Sequence, residues 1–225
     1  MPDVPNFAVH PLRTFGYKCL VIAGWLGTNL EMFEKNDAWA RMVGKGIYPL
    51  EYASVLLNPL RQLICPPWLL IRRMRLNVDD EVLEIGCGPG YFSPSVARKL
   101  ARGRLTIFDY QDGMLDIAEA RLKKRGLSNY IRQQGDAAKL PFASNSFDLA
   151  FMVTVLGEVG DANVALREAL RVLKPGGRLS IMEVFGDPDF VSRDKILKLA
   201  TLTGLRFERS LGPRFYYTSN FRKPT

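Results

Sequence analysis

Apolar and polar positions alternate in a regular way from about residue 81 to the end of the chain. Short apolar runs are separated there by segments with helical periodicity, which is typical of βαβ units and a largely parallel sheet. The runs predict seven strands, at 81–85, 104–109, 130–134, 146–155, 178–185, 205–210 and 214–222. Because only the short segment LGPR connects the last two, we expect them to pair antiparallel. The pattern therefore predicts an α/β fold.

Helical segments fill the gaps between these strands. Two of them are predicted at about 92–102 and 191–203. Asp112 and Asp161 stand at the starts of two others, where a carboxylate can accept hydrogen bonds from free backbone N–H groups. We expect the Asp112 helix to end at Gly126 and the Asp161 helix to end in the turn at 175–177. The inward-facing residues are predicted to be Met114, Leu115, Ala118 and Leu122 in the former, and Ala165, Leu166, Ala169, Leu170 and Leu173 in the latter.

The first 76 residues differ in character, with short apolar segments, prolines and many aromatic side chains. We therefore divide the chain into an N-terminal segment, 1–76, and an α/β domain, 77–225. No apolar run reaches the roughly 18 residues needed to span a bilayer. The nearest, CLVIAGWLG at 19–27, is short and is not followed by the cleavage site of a signal peptide. We expect neither a transmembrane helix nor a secretion signal.

The part of this segment at 52–76 combines basic and apolar residues and contains no acid. Its basic residues are Arg61, Arg72, Arg73 and Arg75. A basic amphipathic segment can lie peripherally on an anionic membrane surface. It can also form a helical cap that packs on the sheet and covers a binding site. We favour the cap, and the two interpretations are compatible.

Charge and cysteine content restrict the partners and the compartment. Lys and Arg number 31 against 23 Asp and Glu, a net charge of +8 that favours nucleic acid, acidic lipid or an anionic cofactor. The cysteines Cys19, Cys65 and Cys87 form no CxxC pair, which argues against a zinc site or a disulfide scaffold and fits the reducing cytoplasm. The single histidine, His10, excludes a multi-histidine metal site, so we expect no metal.

A glycine-rich turn, VLEIGCGPG at 82–90, joins the first predicted strand to a helix. Glycine there lets a ligand reach the backbone, and the helix N-terminus offers free N–H groups. The spacing G-x-G-x-G lacks the extra residue of the dinucleotide motif and the lysine of the phosphate loop. Glu84, two residues before the first glycine, would repel a pyrophosphate but suits an ammonium group. The turn therefore favours a ligand that carries an ammonium group.

Two further carboxylates follow the next two predicted strands. Asp109 ends the second strand, where it can accept hydrogen bonds from both hydroxyls of a ribose. Asp136 follows the third strand within QGDA, where it can accept from an exocyclic amine such as that of adenine. Because parallel strands present their carboxyl ends at one edge of the sheet, these acids are expected to face the glycine-rich turn. Together they predict a nucleoside site.

The motifs VLEIGCGPG, QGDA, FDLAFMVTVL and RVLKPGG, with Asp109, resemble class I S-adenosylmethionine (SAM)-dependent methyltransferases over about 78–223. The branch that includes the quinone-biosynthesis C-methyltransferases is the most similar. This resemblance implies a Rossmann-like sheet of seven strands, helices on both faces and an antiparallel last strand. It also implies SAM as cofactor and methyl transfer by in-line displacement to a small, lipophilic acceptor, such as a quinone precursor or a lipid.

The resemblance assigns roles to the candidate cofactor residues. The glycines would line the methionine part with Glu84 near its ammonium, and Asp109 would hold the ribose. Tyr110 and Met114 would flank the adenine, and Asp136 and Ala137 would close over its edge. The predicted cofactor residues are Glu84, Gly86, Cys87, Gly88, Gly90, Asp109, Tyr110, Met114, Asp136 and Ala137.

The acceptor side departs from the family pattern. Many relatives carry a pair of histidines after the fourth strand, where this chain reads LGEV. Glu158 in that segment is the candidate general base, because it follows the strand where acceptor and cofactor would meet. Tyr48 and Tyr52 are candidates for lining the acceptor entrance.

Three other functions remain open from the sequence. A catalytically silent protein of the same fold could act as an assembly or membrane-binding partner. An RNA methyltransferase is suggested only by the net charge, and the apolar N-terminal segment does not resemble a continuous basic face. The chain also lacks the N/D-P-P-Y/F motif of enzymes that methylate amino groups of nucleic acid bases. An NAD oxidoreductase is disfavoured by the glycine spacing.

Overall fold

The computed structural model describes residues 46–185 and 187–225. The apolar run at 19–27, His10 and Cys19 lie outside the described residues, as does most of the predicted N-terminal segment. Among the described residues, no helix is both long and apolar enough to cross a membrane.

Seven strands form one sheet with the order β3-β2-β1-β4-β5-β7-β6. The strands are Glu81–Ile85 (β1), Arg104–Asp109 (β2), Tyr130–Gln134 (β3), Phe147–Val153 (β4), Leu173–Val184 (β5), Arg206–Leu211 (β6) and Tyr216–Arg222 (β7). β1 to β5 pair in parallel, whereas β7 inserts between β5 and β6 and is antiparallel to both. The predicted Rossmann-like sheet with an antiparallel last strand is confirmed.

Alternate residues of the central strands enter two separate cores, one on each face of the sheet. In β1, Leu83 and Ile85 belong to one core, while Val82 belongs to the other. Burial on both faces explains why β1 is an almost continuous apolar run, interrupted by Glu84.

Helices cover both faces of the sheet. After a single 3-10 turn at Leu50–Tyr52 they are Ala53–Leu56 (α1), Arg61–Ile64 (α2), Pro67–Met74 (α3), Ser93–Lys99 (α4), Asp112–Lys124 (α5), Ala162–Val172 (α6) and Arg193–Leu202 (α7). The predicted inward face of α5 is confirmed, since Met114, Leu115, Ala118 and Leu122 are its buried residues. The helices before β1 give the described part of the N-terminal segment the predicted helical character.

The two predicted helix caps have different outcomes. Asp161 accepts hydrogen bonds from the N–H groups of Asn163 (2.8 Å) and Val164 (3.4 Å), so it caps α6 as predicted. The prediction for Asp112 is wrong, because Gln111 occupies the cap position and makes no side-chain cap bond. The Asp112 carboxylate instead accepts from the guanidinium of Arg132 at 2.7 Å.

The prediction of a turn at 175–177 that ends a helix is also wrong. α6 ends at Val172, and Leu173 already begins β5, so Leu173 does not belong to the helix face. The backbone around the two glycines pairs with the segment after β7: Gly176 donates to the Lys223 carbonyl and Lys223 donates to the Gly177 carbonyl. These bonds extend the sheet through the Pro-Gly-Gly sequence.

Candidate functional site

A cavity of about 330 Å³ opens at the carboxyl ends of β1, β2 and β4. Its volume lies in the range of small-molecule sites, and its position is where open α/β sheets bind ligands. The predicted site residues on its wall are Tyr48, Glu84, Gly86, Cys87, Gly88, Asp109, Tyr110, Met114, Asp136, Ala137 and Glu158. Two predicted residues, Gly90 and Tyr52, do not line it. Tyr52 is buried beneath Tyr48, whose hydroxyl donates to the Tyr52 carbonyl at 3.4 Å.

All three glycines of the turn after β1 have left-handed φ values, but their surroundings differ. A Cβ on Gly86 would lie 2.4 Å from the Val155 side chain, and one on Gly90 would lie 2.8 Å from the backbone of Ala118 in α5. Gly90 therefore permits close packing of the turn on α5. A Cβ on Gly88 would meet only the Leu56 side chain, at 3.9 Å, so this backbone faces the open space of the cavity.

Asp109 joins the end of β2 to the glycine turn. Its Oδ2 accepts from the Gly88 N–H at 2.8 Å, and its Oδ1 accepts from the Gln111 N–H at 2.9 Å. Burial raises the pKa of Asp109, and the backbone N–H bonds oppose that rise. Each carboxylate oxygen retains a further lone pair. The group can therefore hold the turn and accept from the hydroxyls of a ribose.

Glu84 is buried at the inner end of the cavity. The hydroxyl of Ser93, at the start of α4, donates to Glu84 Oε2 at 2.6 Å. Burial raises the pKa of Glu84 to about 8; the Ser93 hydrogen bond lowers it and the nearby Asp109 charge raises it further. An ammonium group bound here would stabilise the ionised carboxylate. Burial, with the charges of Glu84 and Asp109, also raises the pKa of the Cys87 thiol well above its usual value.

The other predicted cofactor residues lie around the ends of β2 and β3. Tyr110 is 59% exposed at the rim, whereas Met114 is buried in α5. Asp136 Oδ1 accepts from the Ala138 N–H at 2.8 Å, which orients the loop after β3. Ala137 is buried beside it. A flat ring could therefore bind between Tyr110 and Met114 with its edge towards Asp136.

The opposite side of the cavity contains residues that sequence reasoning missed. Arg61 in α2 is buried, stacks 4.4 Å from the ring centre of Tyr91 and donates to the Leu56 carbonyl at 2.8 Å. It is one of the four arginines of 52–76, and no sequence signal distinguishes it from the other three. Thr154 after β4 also lines the cavity with φ 53°, which is rare for a β-branched residue.

Carboxylates gather at this side as well. Glu158 and Asp187 line the cavity, and one oxygen of each lies within 4.8 Å of an oxygen of Asp189. Glu183, near the end of β5, is buried. Burial raises the pKa of Glu183 well above its usual value, and the charges of Asp187, Glu158 and Asp189 raise it further. The predicted base Glu158 is therefore one of four neighbouring acids.

The match to a family model agrees with this geometry. Residues 83–181 match the model described as a methyltransferase domain, which spans β1 through much of β5. In fold, glycine turn and sequence match, this region is similar to class I SAM-dependent methyltransferases, including quinone C-methyltransferases. The predicted resemblance is confirmed. Family and fold imply SAM as the cofactor, and bare backbone at Gly88 beside two buried carboxylates fits its amino-acid and ribose parts.

Individual relatives make the relationship more specific. A ubiquinone/menaquinone biosynthesis C-methyltransferase of Idiomarina loihiensis is 40% identical over 105 residues, 46% of this chain and 42% of that protein. A demethylmenaquinone methyltransferase of Lactobacillus johnsonii is 32% identical over 114 residues, 50% of this chain and 47% of that protein. The chain thus matches less than half the length of these relatives.

A solved structure shows the same fold over more of the chain. The crystal structure of a SAM-dependent methyltransferase from Aquifex aeolicus superposes with a TM-score of 0.74 and 21% identity. The superposition covers 79% of this chain and 100% of that one. It therefore includes parts of the chain outside the sequence match.

Proposed function

We propose that this protein transfers a methyl group from SAM to a small, lipophilic acceptor of the quinone-precursor type. One observation carries the proposal: the bare backbone of Gly88, the buried Glu84 and the strand-end Asp109 all face one cavity. The relatives named as quinone methyltransferases support the acceptor class.

In this proposal the predicted residues keep the roles that the resemblance gave them, except Gly90. Glu84 binds the ammonium group and Asp109 binds the ribose. Tyr110 and Met114 flank the adenine, and Asp136 and Ala137 contact its edge. Gly90 contributes indirectly, by letting the turn pack on α5.

SAM, when bound, supplies an electrophilic methyl group on a sulfonium. The chain positions the acceptor in line with that methyl group and excludes water, which is worth on the order of 7–11 kcal/mol. The departing thioether needs no proton. Tyr48 and Leu56, which precede β1, also line the cavity. We propose that Glu158 assists the acceptor in losing its proton.

We also propose that the cap contacts the cytoplasmic face of an anionic membrane, from which a lipophilic acceptor would be delivered. Trp68 is 61% exposed, and Arg72, four residues later on the same side of α3, is also exposed. Arg75, directly after the helix, is exposed as well. Leu63 in the preceding helix is 82% exposed. Arg61 does not contribute, because it is buried against Tyr91.

Flotation with liposomes tests this contact. Wild-type protein should float with anionic vesicles, less so at high salt, and Trp68→Ala combined with Arg72→Gln should reduce the floated fraction. Arg98→Gln, a substitution in α4, is the matched control for loss of a basic residue. If flotation were not sensitive to salt, the proposed membrane contact would be wrong, and these helices would act only as a cap.

A methyl-transfer assay tests the main proposal. Protein is incubated with methyl-labelled SAM and either a total lipid extract or bulk RNA, and products are identified by mass spectrometry. We expect label in a quinone-type lipid and none in RNA. Label in RNA alone would favour the RNA methyltransferase, and no transfer to either, with SAM still bound, would favour a catalytically silent protein.

A further inference from the structure

Thr154, directly after β4, has a backbone conformation that its residue type rarely adopts. Its φ of 53° lies in the left-handed region, where a β-branched side chain is strained. Two other described residues besides glycine have positive φ, and each suits its position: Arg75 ends α3, and Asn145 lies in a turn. Strain such as that at Thr154 persists only where the surrounding structure enforces it, and it is concentrated at functional sites.

The neighbours of Thr154 hold it in place on two sides. Its N–H donates to the Met182 carbonyl of β5 at 2.9 Å. The next residue, Val155, packs so closely on Gly86 that a Cβ on this glycine would strike its side chain. Thr154 therefore lies between β5 and the glycine turn after β1. In the order β3-β2-β1-β4-β5 the chain continues in opposite directions from β1 and β4, and ligands bind at such a switch point.

The left-handed residue affects which side chains can reach the cavity. Successive side chains of an extended strand point to opposite faces of the sheet. At the end of β4, however, three consecutive residues line the cavity: Val153, Thr154 and Val155. The two valines are apolar, so Thr154 supplies the polar side chain of this stretch.

The Thr154 hydroxyl is available to a ligand. The side chain is half-buried, and its oxygen is neither enclosed by protein nor hydrogen-bonded to another described residue. A hydroxyl can donate one hydrogen bond and accept others. On one side Val155 contacts the glycine turn, and on the other Glu158 lines the acceptor side of the cavity. Thr154 therefore stands at the border between the two sides.

We propose that the Thr154 hydroxyl binds a hydroxyl or carbonyl oxygen of the methyl acceptor, and that the strained backbone is retained because it directs this side chain into the cavity. This inference rests on the proposed function and adds an acceptor-binding residue to it. The hydrogen bond orients the acceptor ring at the border with the cofactor side. The acceptor is then a ring with an oxygen substituent close to the atom that is methylated.

The binding of two ring probes tests this contact without methyl transfer. Calorimetry under anaerobic conditions, with saturating S-adenosylhomocysteine (the product of methyl transfer), measures affinity for 1,4-dihydroxynaphthalene and for naphthalene, which has no oxygen. Wild-type protein should prefer the diol, and Thr154→Val, which keeps the branched shape, should lose at least about fivefold of that preference. Thr201→Val, at an exposed position of α7, is the matched control and should keep it. No preference in the wild type, or equal preference in Thr154→Val, would overturn the proposal.

Two other substitutions separate the hydroxyl from the backbone strain. Thr154→Ser keeps the hydroxyl and should retain more of the preference for the diol than Thr154→Val does. Thr154→Gly should lose the preference but raise the Tm, because glycine adopts positive φ without strain. If Thr154→Gly kept the preference, or if its Tm fell below that of the wild type, the side chain would serve packing and the proposal would be wrong.

The same samples distinguish this inference from the proposed function. Transfer of labelled methyl from SAM to the lipid extract should fall at least about fivefold in Thr154→Val, while affinity for S-adenosylhomocysteine stays as in the wild type. If the wild type prefers the diol but transfers no methyl group, the methyltransferase function alone is contradicted. If the wild type transfers methyl groups and Thr154→Val matches it in rate and in preference, the Thr154 contact alone is contradicted.

Discussion

Burial makes Glu84 difficult to ionise in the protein without a ligand. Its pKa of about 8 means that the carboxyl is largely protonated at neutral pH, with Ser93 as its hydrogen-bond partner. An ammonium group placed beside it would lower that pKa and release the proton. Binding of the cofactor at neutral pH should therefore be coupled to loss of a proton from Glu84.

The pH dependence of S-adenosylhomocysteine binding tests this coupling. Affinity should rise between pH 6 and 7.5, by up to about tenfold per pH unit, because the bound state holds fewer protons than the free state. Calorimetry in buffers of different ionisation enthalpy should show the proton release. Glu84→Gln should remove the slope, whereas Glu81→Gln on the same strand should keep it. A flat profile in the wild type would contradict the role of Glu84.

Sequence reasoning at the level of single residues worked where the chemistry is local. Asp161 caps its helix because the acceptor and the free N–H groups belong to consecutive residues. Asp112 stands in a similar sequence context, but Arg132 on β3 binds its carboxylate. The left-handed conformation of Thr154 was also not predictable, since its backbone N–H donates to the Met182 carbonyl of the adjacent strand.

At the scale of elements, the three glycines of the turn after β1 serve different purposes: some allow close packing, and one leaves backbone open to the cavity. Gly86 and Gly90 have neighbours that a methyl group would strike, whereas Gly88 faces the cavity. The sequence predicted the position of the turn between β1 and α4, but the neighbours of each glycine depend on how α5 and the segment after β4 pack.

Two alanine substitutions separate these tasks. Both introduce a side chain at a positive φ, which costs about 1–3 kcal/mol of folding free energy. Gly90→Ala also strikes the backbone of Ala118, so its Tm should fall further than that of Gly88→Ala. Gly88→Ala should lose affinity for S-adenosylhomocysteine, because its methyl group projects into the cavity. Thermal unfolding compares the stability of the two variants, and calorimetry compares their affinity for S-adenosylhomocysteine. If folded Gly90→Ala lost more affinity than Gly88→Ala, the assignment of Gly88 to the cavity and Gly90 to packing would be contradicted.

The central strands were predictable because they are buried on both faces and are therefore strongly apolar. β1, β2 and β3 have the predicted bounds. The start of β5 was not predicted, since its Pro-Gly-Gly sequence is typical of a turn and is held in the sheet by bonds to Lys223. Such pairing depends on a segment about 50 residues away, which local patterns do not reveal.

At the scale of the whole molecule, the cavity has one side that the sequence predicted and one that it did not. The predicted side is built from the ends of consecutive strands, whose positions follow from the parallel sheet. The other side combines the helices before β1 with the turn after β5, including Arg61 and Asp187. These parts meet only through tertiary packing, which explains why the sequence did not predict that Asp187 and Asp189 lie beside Glu158.

The central claim is that the cavity at the ends of β1 and β2 binds the cofactor through Asp109, and calorimetric titration with S-adenosylhomocysteine tests it most directly. Wild-type protein should bind at a single site. Asp109→Ala should bind about 10–150-fold more weakly, equivalent to ~1.5–3 kcal/mol, because the ribose hydrogen bonds are lost. Asp116→Ala, at an exposed position of α5, should bind as the wild type does. Equal affinity in wild type and Asp109→Ala would contradict the account.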